Sequence, residues 1–385
     1  MIDVRLTTSV MATAVTVTGF LGVRDWSGNW DDNYDGLVNF TVLAELEDIA
    51  LPPPRGDLQI TGLEYNQATQ FYRASRFLDL AEVRPDNSVF LIASKNTGVR
   101  VYADYDYDPA SGLPPISQLT GELTVSGGAG DTILTPINTA IVPKRDTAIN
   151  QALSTDTLNF MIPAALCTGA ITVTCRVFDQ ANPLSGSGLF TQTLVFTTVD
   201  TLSVSLVGVQ TMDPPAPAPT MAEIAGAFSL LESVYPRGTV LFTGFTTITL
   251  TPPITGSMAT SGCGDAWSQL LDKLRDLRGG SSDLFFGGLP PGIFAAGVVG
   301  CSPVGERVAA AFIDIPMTIP HECGHALGLD HDPCRGCNFP TQDPNNNYPT
   351  YGSFPPDSIG LFGYDPVNDI VFNPASATDF MNPLV

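Results

Sequence analysis

All three histidines of the 385-residue chain fall within one short string, HECGHALGLDH, running from His321 to His331. The string fits the spacing H-E-x-x-H-x-x-G-x-x-H at every specified place. On a helix, residues four apart share a face, so His321 and His325 can offer two imidazoles to one ion at ~2.0–2.1 Å. Gly328 can take the left-handed conformation that ends a helix and turns the chain, which returns His331 as a third ligand. A three-histidine zinc site keeps a fourth position for water. Zinc draws the pKa of that water towards ~7, and Glu322, offset by one residue, is placed to take the proton and hand it to a departing amine. The competing reading is a closed structural zinc site, which would recruit a cysteine and has no need of Glu322. Cys323 is the nearest cysteine, but on a helix it points about 200° away from His321.

The elements that must position this string can be read from the pattern. Short β-rich runs separated by turn residues fill the chain to about residue 206: VTVTGF, LVNFTVLAEL, GVRVYADY, GELTVSG, AITVTCRVF and LFTQTLVFTTV. They predict an all-β sandwich of Ig-like type over 58–206, with a small β region of its own over 1–50. DPPAPAP, within 207–220, reads as a stiff Pro-rich linker. Beyond it, over 221–385, helices alternate with strands. MAEIAGAFSLLESVYP and GDAWSQLLDKLRDLRGG read as helices, the second carrying Trp267, Leu270, Leu271, Leu274 and Leu277 on one side. TVLFTGFTTITL, DLFFGGL, GIFAAGVVG and RVAAAFIDI read as strands, and a last helix begins near Met317. The chain is therefore expected to be multidomain, an all-β unit followed by an α/β unit that carries the histidines.

Composition narrows the partners. The formal charge is −22, from 39 acids against 17 bases, and the lysines are Lys95, Lys144 and Lys273 alone. Such a surface argues against nucleic acid and anionic lipid. No run of 18 apolar residues occurs, so no membrane insertion is expected, and the N-terminal alternation of Val and Thr reads as strand rather than signal peptide. Seven cysteines suggest two or three disulfides in an oxidising compartment, hence an extracellular or secreted protein. The rival is a second zinc site on CRGC at 334–337, which lacks a partner motif. A monomer is expected.

HECGHALGLDH resembles the zinc motif of the metzincin endopeptidases, and locally that of the matrix metalloproteinases. ATDFMNP at 377–383 offers Met381 for the methionine turn of that group. The whole chain from about 58 onward is similar to bacterial secreted reprolysin-like and StcE-like metallopeptidases. The matching segments are TGLEYNQATQ, TGVRVYAD, LNFMIPAAL, GCSPVGERVA, HDPCRGC and SIGLFGYD. The resemblance implies a metzincin catalytic domain, Zn2+ as cofactor, and a protein or glycoprotein substrate. It also implies a substrate-binding edge strand before the zinc helix, in the position of 307–314, with Ala309, Ala310, Ala311 and Phe312 facing substrate. Departures are the long interval from His331 to Met381, Pro383 where some members carry a tyrosine, and an end at Val385 where the family continues into a helix.

The loop from Asp332 to Thr378 is expected to wall the specificity pocket. Phe339, Tyr348, Tyr351, Phe362 and Tyr364 either line it or pack a small core of the loop's own. Asp31, Asn33 and Asp35, followed by Gly36, open like a Ca2+ loop, with Val42 where the closing glutamate belongs; the alternative is a solvated acidic turn. A reading from another class is an adhesion or carbohydrate-binding protein with a vestigial peptidase domain.

Overall fold

The computed structural model describes residues 2–11, 14–23, 52–68, 90–127, 130–254, 263–293, 297–334 and 345–383. Within them the molecule is mostly β-sheet with few helices. The first element is a hairpin of β1 (Ile2–Met11) and β2 (Ala14–Val23), paired antiparallel throughout. Asp31, Asn33 and Asp35, the expected Ca2+ loop, lie outside the described residues.

Two antiparallel sheets follow and share one core. β3 (Leu58–Asn66), β4 (Thr97–Tyr105) and β7 (Leu158–Ile162) form the first, in that order. The second contains β5 (Leu119–Gly127), β6 (Gly130–Leu134), β8 (Ala170–Asp179), β9 (Asn182–Gly186) and β10 (Phe190–Val195). Its order is β10-β8-β5-β6, with β9 also on β8. In LTGELTVSG of β5, buried and half-exposed residues alternate, as a strand with one wet face requires. Val99, Val101 and Phe160 from the first sheet meet Leu123, Val125, Val173 and Val177 from the second. Cys167 and Cys175 sit in this core as free thiols, so neither forms a disulfide.

The next sheet contains β11 (Leu202–Met212), β12 (Pro215–Ala216), β13 (Val240–Leu250), β14 (Leu284–Leu289), β15 (Gly300–Cys301) and β16 (Val308–Phe312). β13, β11, β14 and β16 lie side by side and parallel, while β12 and β15 are antiparallel additions. The expected linker over 207–220 is corrected here. Its first part, 207–212, is the end of β11, an interior strand with a parallel neighbour on each side, and Pro215–Ala216 folds back to pair with that end. LSVSLVGVQ is apolar on both sheet faces, so it belongs to a doubly covered parallel sheet rather than to a connector. The second unit thus begins near Leu202.

Both faces of this sheet are covered. α1 (Met221–Ala227), α2 (Ser229–Val234) and α4 (Thr318–Ala326) share a core with Val204, Leu206, Phe286, Ala309 and Ala311. α3 (Asp265–Arg278) buries Trp267, Leu270, Leu271 and Leu274 against Val207, Val209, Val308, Ala310 and Phe312 on the other face. Each leucine so buried contributes about 1.5–3 kcal/mol. Leu277, expected on the same side, is exposed. The continuous run VAAAF in β16 follows from burial on both faces.

A late hairpin, β17 (Gly363–Asp365) with β18 (Ile370–Phe372), joins the two units. The Tyr364 N–H donates to the Ala68 carbonyl at 2.9 Å, and the Asn66 amide donates to the Phe362 carbonyl at 3.2 Å. The Tyr364 ring lies so close to Gly98 of β4 that a Cβ there would sit 2.6 Å from it. Tyr364, for which pocket lining and core packing were both open, is a packing residue here: its side chain is fully buried, its hydroxyl is bound to Asp369 and its ring lies against Arg100.

Candidate metal centre

Helix α4 is buried on every side, which fixes the direction of each residue it carries. It ends as the sequence requires. Gly328 has φ 101°, its N–H donates to the His325 carbonyl at 2.8 Å, and the Leu329 N–H donates to the Gly324 carbonyl at 2.9 Å. This pair of bonds is a Schellman termination, and it carries the chain round so that His331 faces the helix. Gly305 and Arg307, in the turn before β16, donate to the His325 and Ala326 carbonyls and complete the helix end.

The three imidazoles converge. His325 Nε2 lies 3.2 Å from His321 Nε2 and 3.1 Å from His331 Nε2. His321 Nδ1 is 2.9 Å from the Phe380 carbonyl, and His325 Nδ1 is 2.8 Å from the Leu329 carbonyl. A carbonyl can only accept, so each Nδ1 carries the proton and each Nε2 presents a lone pair. Lone pairs of neutral rings at such distances repel unless a cation sits among them. Two donors bound tetrahedrally at ~2.0–2.1 Å lie ~3.3–3.4 Å apart, close to what is found. The cluster can therefore hold a metal ion. Burial, with His325 beside it, pulls the His321 pKa down to about 3, keeping the ring neutral as a ligand must be.

Glu322 and Met381 complete the surroundings. Glu322 is buried, and desolvation pushes its carboxyl well above the usual carboxylate range. It packs over Gly300 of β15, where a Cβ would stand 2.6 Å from its Cγ and 2.7 Å from its Oε1. Met381 lies beneath α4, with its Sδ filling the space a Cβ of Gly324 would need. Its own N–H donates to Asp379 at 2.9 Å, and its carbonyl accepts from the Asp332 N–H at 3.2 Å. Asp332 is buried next to His331, and desolvation, with Asp379 and Asp357 nearby, pushes it up to about 8.

The expected substrate-facing residues are placed differently. Ala309, Ala310, Ala311 and Phe312 do not form an edge: β16 pairs with β14 on one side, and with β15 on the other at Ala310 and Ala311. The edge is β15. A two-residue strand has no periodicity to read, which is why the sequence pointed one strand too far inward. Cys301 of β15 is bonded to Cys263, beside the start of α3. Cys334 is also disulfide-bonded, which removes CRGC as a thiolate zinc site. Cys323 packs as a free thiol in the core with Ile319 and Ala326, away from the histidines. Tyr348 and Tyr351 meet edge to face with centroids 6.2 Å apart within the late loop, and the Tyr348 hydroxyl donates to the Ser358 carbonyl, so these rings build the loop's own core. Phe339 lies outside the described residues.

Sequence reasoning missed the carbonyls of Phe380 and Leu329 and the glycines at 300 and 324. A glycine inside a strand pattern, as in GVVGCSP, is the one signal that could have flagged a close approach. No family model and no curated protein matches the chain.

Proposed function

We propose that the chain is a zinc-dependent endopeptidase of the metzincin kind, in which His321, His325 and His331 hold the metal and Glu322 is the catalytic base. The observation that carries this reading is the convergence of three Nε2 atoms, two of them committed as lone-pair donors, beside a buried carboxylate one residue from the first ligand. Zinc bound by these three rings would supply Lewis acidity, drawing the pKa of a water towards ~7 and polarising a peptide carbonyl. With the metal bound, Glu322 would take the proton from the attacking water and return it to the departing amine. Burial keeps the Glu322 carboxyl away from bulk water, packed over Gly300.

The edge strand β15 receives an extended peptide by strand addition, in place of the inward β16. Gly300 brings that edge against Glu322, so a substrate backbone laid along it passes the base. Met381 under Gly324 supports the comparison with the methionine turn. The two antiparallel sheets support an Ig-like sandwich before a metzincin domain. The Cys263–Cys301 disulfide favours an oxidising, extracellular setting, with a protein or glycoprotein as substrate.

Glu322→Ala is the direct test. It should abolish cleavage of casein or a mucin-type glycoprotein, a loss of at least ~10²-fold, while zinc still binds. Undiminished cleavage by that variant would remove the mechanism.

A further inference from the structure

One contact path crosses from the two-sheet unit to the first metal ligand. It starts at Gln67, whose buried amide donates to the Ile92 carbonyl at 2.9 Å, the Lys95 carbonyl at 3.2 Å and the Thr97 hydroxyl at 2.9 Å. Its oxygen accepts from the Ile92 N–H at 2.7 Å. One side chain thus fixes the turn from Ile92 to Thr97, and that turn delivers Lys95 into the second unit. There the Lys95 ammonium donates to the carbonyls of Glu232, Ser233 and Tyr235 at 2.6, 2.8 and 2.8 Å. These are carbonyls at the end of α2, where a cation suits the helix dipole; the Tyr235 carbonyl also accepts from the Arg237 N–H at 2.8 Å.

Tyr235 is the residue so held, and it touches both sides of His321. Its hydroxyl donates to the carbonyl of Pro320, the residue before His321, at 2.7 Å. Its ring packs against Phe380 with centroids 5.3 Å apart. Phe380 in turn provides the carbonyl that binds His321 Nδ1. The ring's orientation therefore depends on two backbone groups, and one buried phenol governs both.

We infer that Tyr235, clamped by Lys95 from the two-sheet unit, is a positioning residue for the metal site, so that the N-terminal unit is a working part of that site. The inference rests on the peptidase reading for its effect on turnover, but its effect on metal affinity stands on the three histidines alone.

The test uses the full chain and Zn2+ itself. Tyr235→Phe keeps the ring against Phe380 and removes only the hydroxyl. Zn2+ affinity should weaken about tenfold, measured by competition with a chelating dye, since partners that orient a metal-binding imidazole act on this scale. Cleavage of a peptide substrate should lose kcat with KM little changed, and far-UV circular dichroism should not move. Lys95→Met should shift affinity and kcat the same way. If Lys95→Met fails to fold, the nearly isosteric Tyr235→Phe decides alone. Wild-type affinity and kcat in Tyr235→Phe overturn the inference. A wild type that takes up no Zn2+ overturns the peptidase reading and this inference with it, whereas one that binds Zn2+ but cleaves nothing leaves the affinity measurement to decide.

Discussion

Two polar clusters are buried in this molecule, and they are built on opposite terms. In the two-sheet unit, Arg100 of β4 pairs with Glu64 at 3.5 Å, donates to the Gln151 carbonyl at 2.7 Å, and lies over the rings of Tyr102 and Tyr364. Tyr102 donates to Glu64 at 2.5 Å and Tyr364 to Asp369 at 2.9 Å. Positive meets negative. In the second unit, three imidazole nitrogens aim at one another with no proton between the two that carbonyls have fixed. The first cluster is held by opposite charges within the chain, although one Arg100 nitrogen has no hydrogen-bond partner; the second gathers three ring nitrogens around a space that could hold a metal ion. A buried cluster that converges like groups on one point is a better guide to function than one built from opposite charges.

Breaking the paired cluster should have the larger effect on folding. Arg100→Met strands Glu64 in a dry core, so stability should fall by about 3–5 kcal/mol, read by denaturant unfolding. The loss should be the same with and without zinc. A loss that appears only in the metal-free protein would mean the two clusters are not separate. Gly300→Ala sharpens the contrast from the other side. The new methyl meets Glu322 at 2.6 Å and Thr318 at 2.5 Å, so the carboxylate must move. We expect kcat to drop by about 10²-fold with zinc affinity unchanged, because misplacement of about an ångström costs that much. Retained kcat in this variant would dissociate Glu322 from the reaction.

The smallest effect concerns Lys95, which joins the two regions. Burial lowers its pKa from 10.5 to about 8. Between those values the unfolded chain holds the proton that the folded chain has released, so stability rises with pH across that window and is flat below it. The melting temperature of wild type relative to Lys95→Met should therefore climb from pH 8 to pH 10.5. A constant difference would show that the ammonium is retained.

The metal-binding string was legible because its logic is local. Spacing along one helix, a glycine with φ 101° and a returning histidine need no distant information. Met381 was found by resemblance. What could not be read depends on separation in sequence. Lys95 meets the end of α2 across 137 to 140 residues, and Asn66 meets Phe362 across 296. No periodicity encodes such a meeting. β11 was misplaced for a different reason: LSVSLVGVQ continues the run of β-rich segments before it, and only its parallel neighbours reveal that it opens the next unit. Tyr364 looked like a pocket aromatic because a loop tyrosine carries no mark of the sheet it will dock on.

The hairpin of β17 and β18 has one more implication, for the order of events during synthesis. It adds to an edge made by residues that leave the ribosome nearly three hundred positions earlier, and the stretch just after it supplies the Phe380 carbonyl. Chains fold from the N-terminus as they emerge, so the early sheet can stand ready as a template. Until the last segment docks on it, His321 has nothing to hold its Nδ1. A nascent chain stalled before residue 380 would be largely folded yet lack the carbonyl that orients the His321 ring, so the histidine cluster is set only when synthesis is almost over.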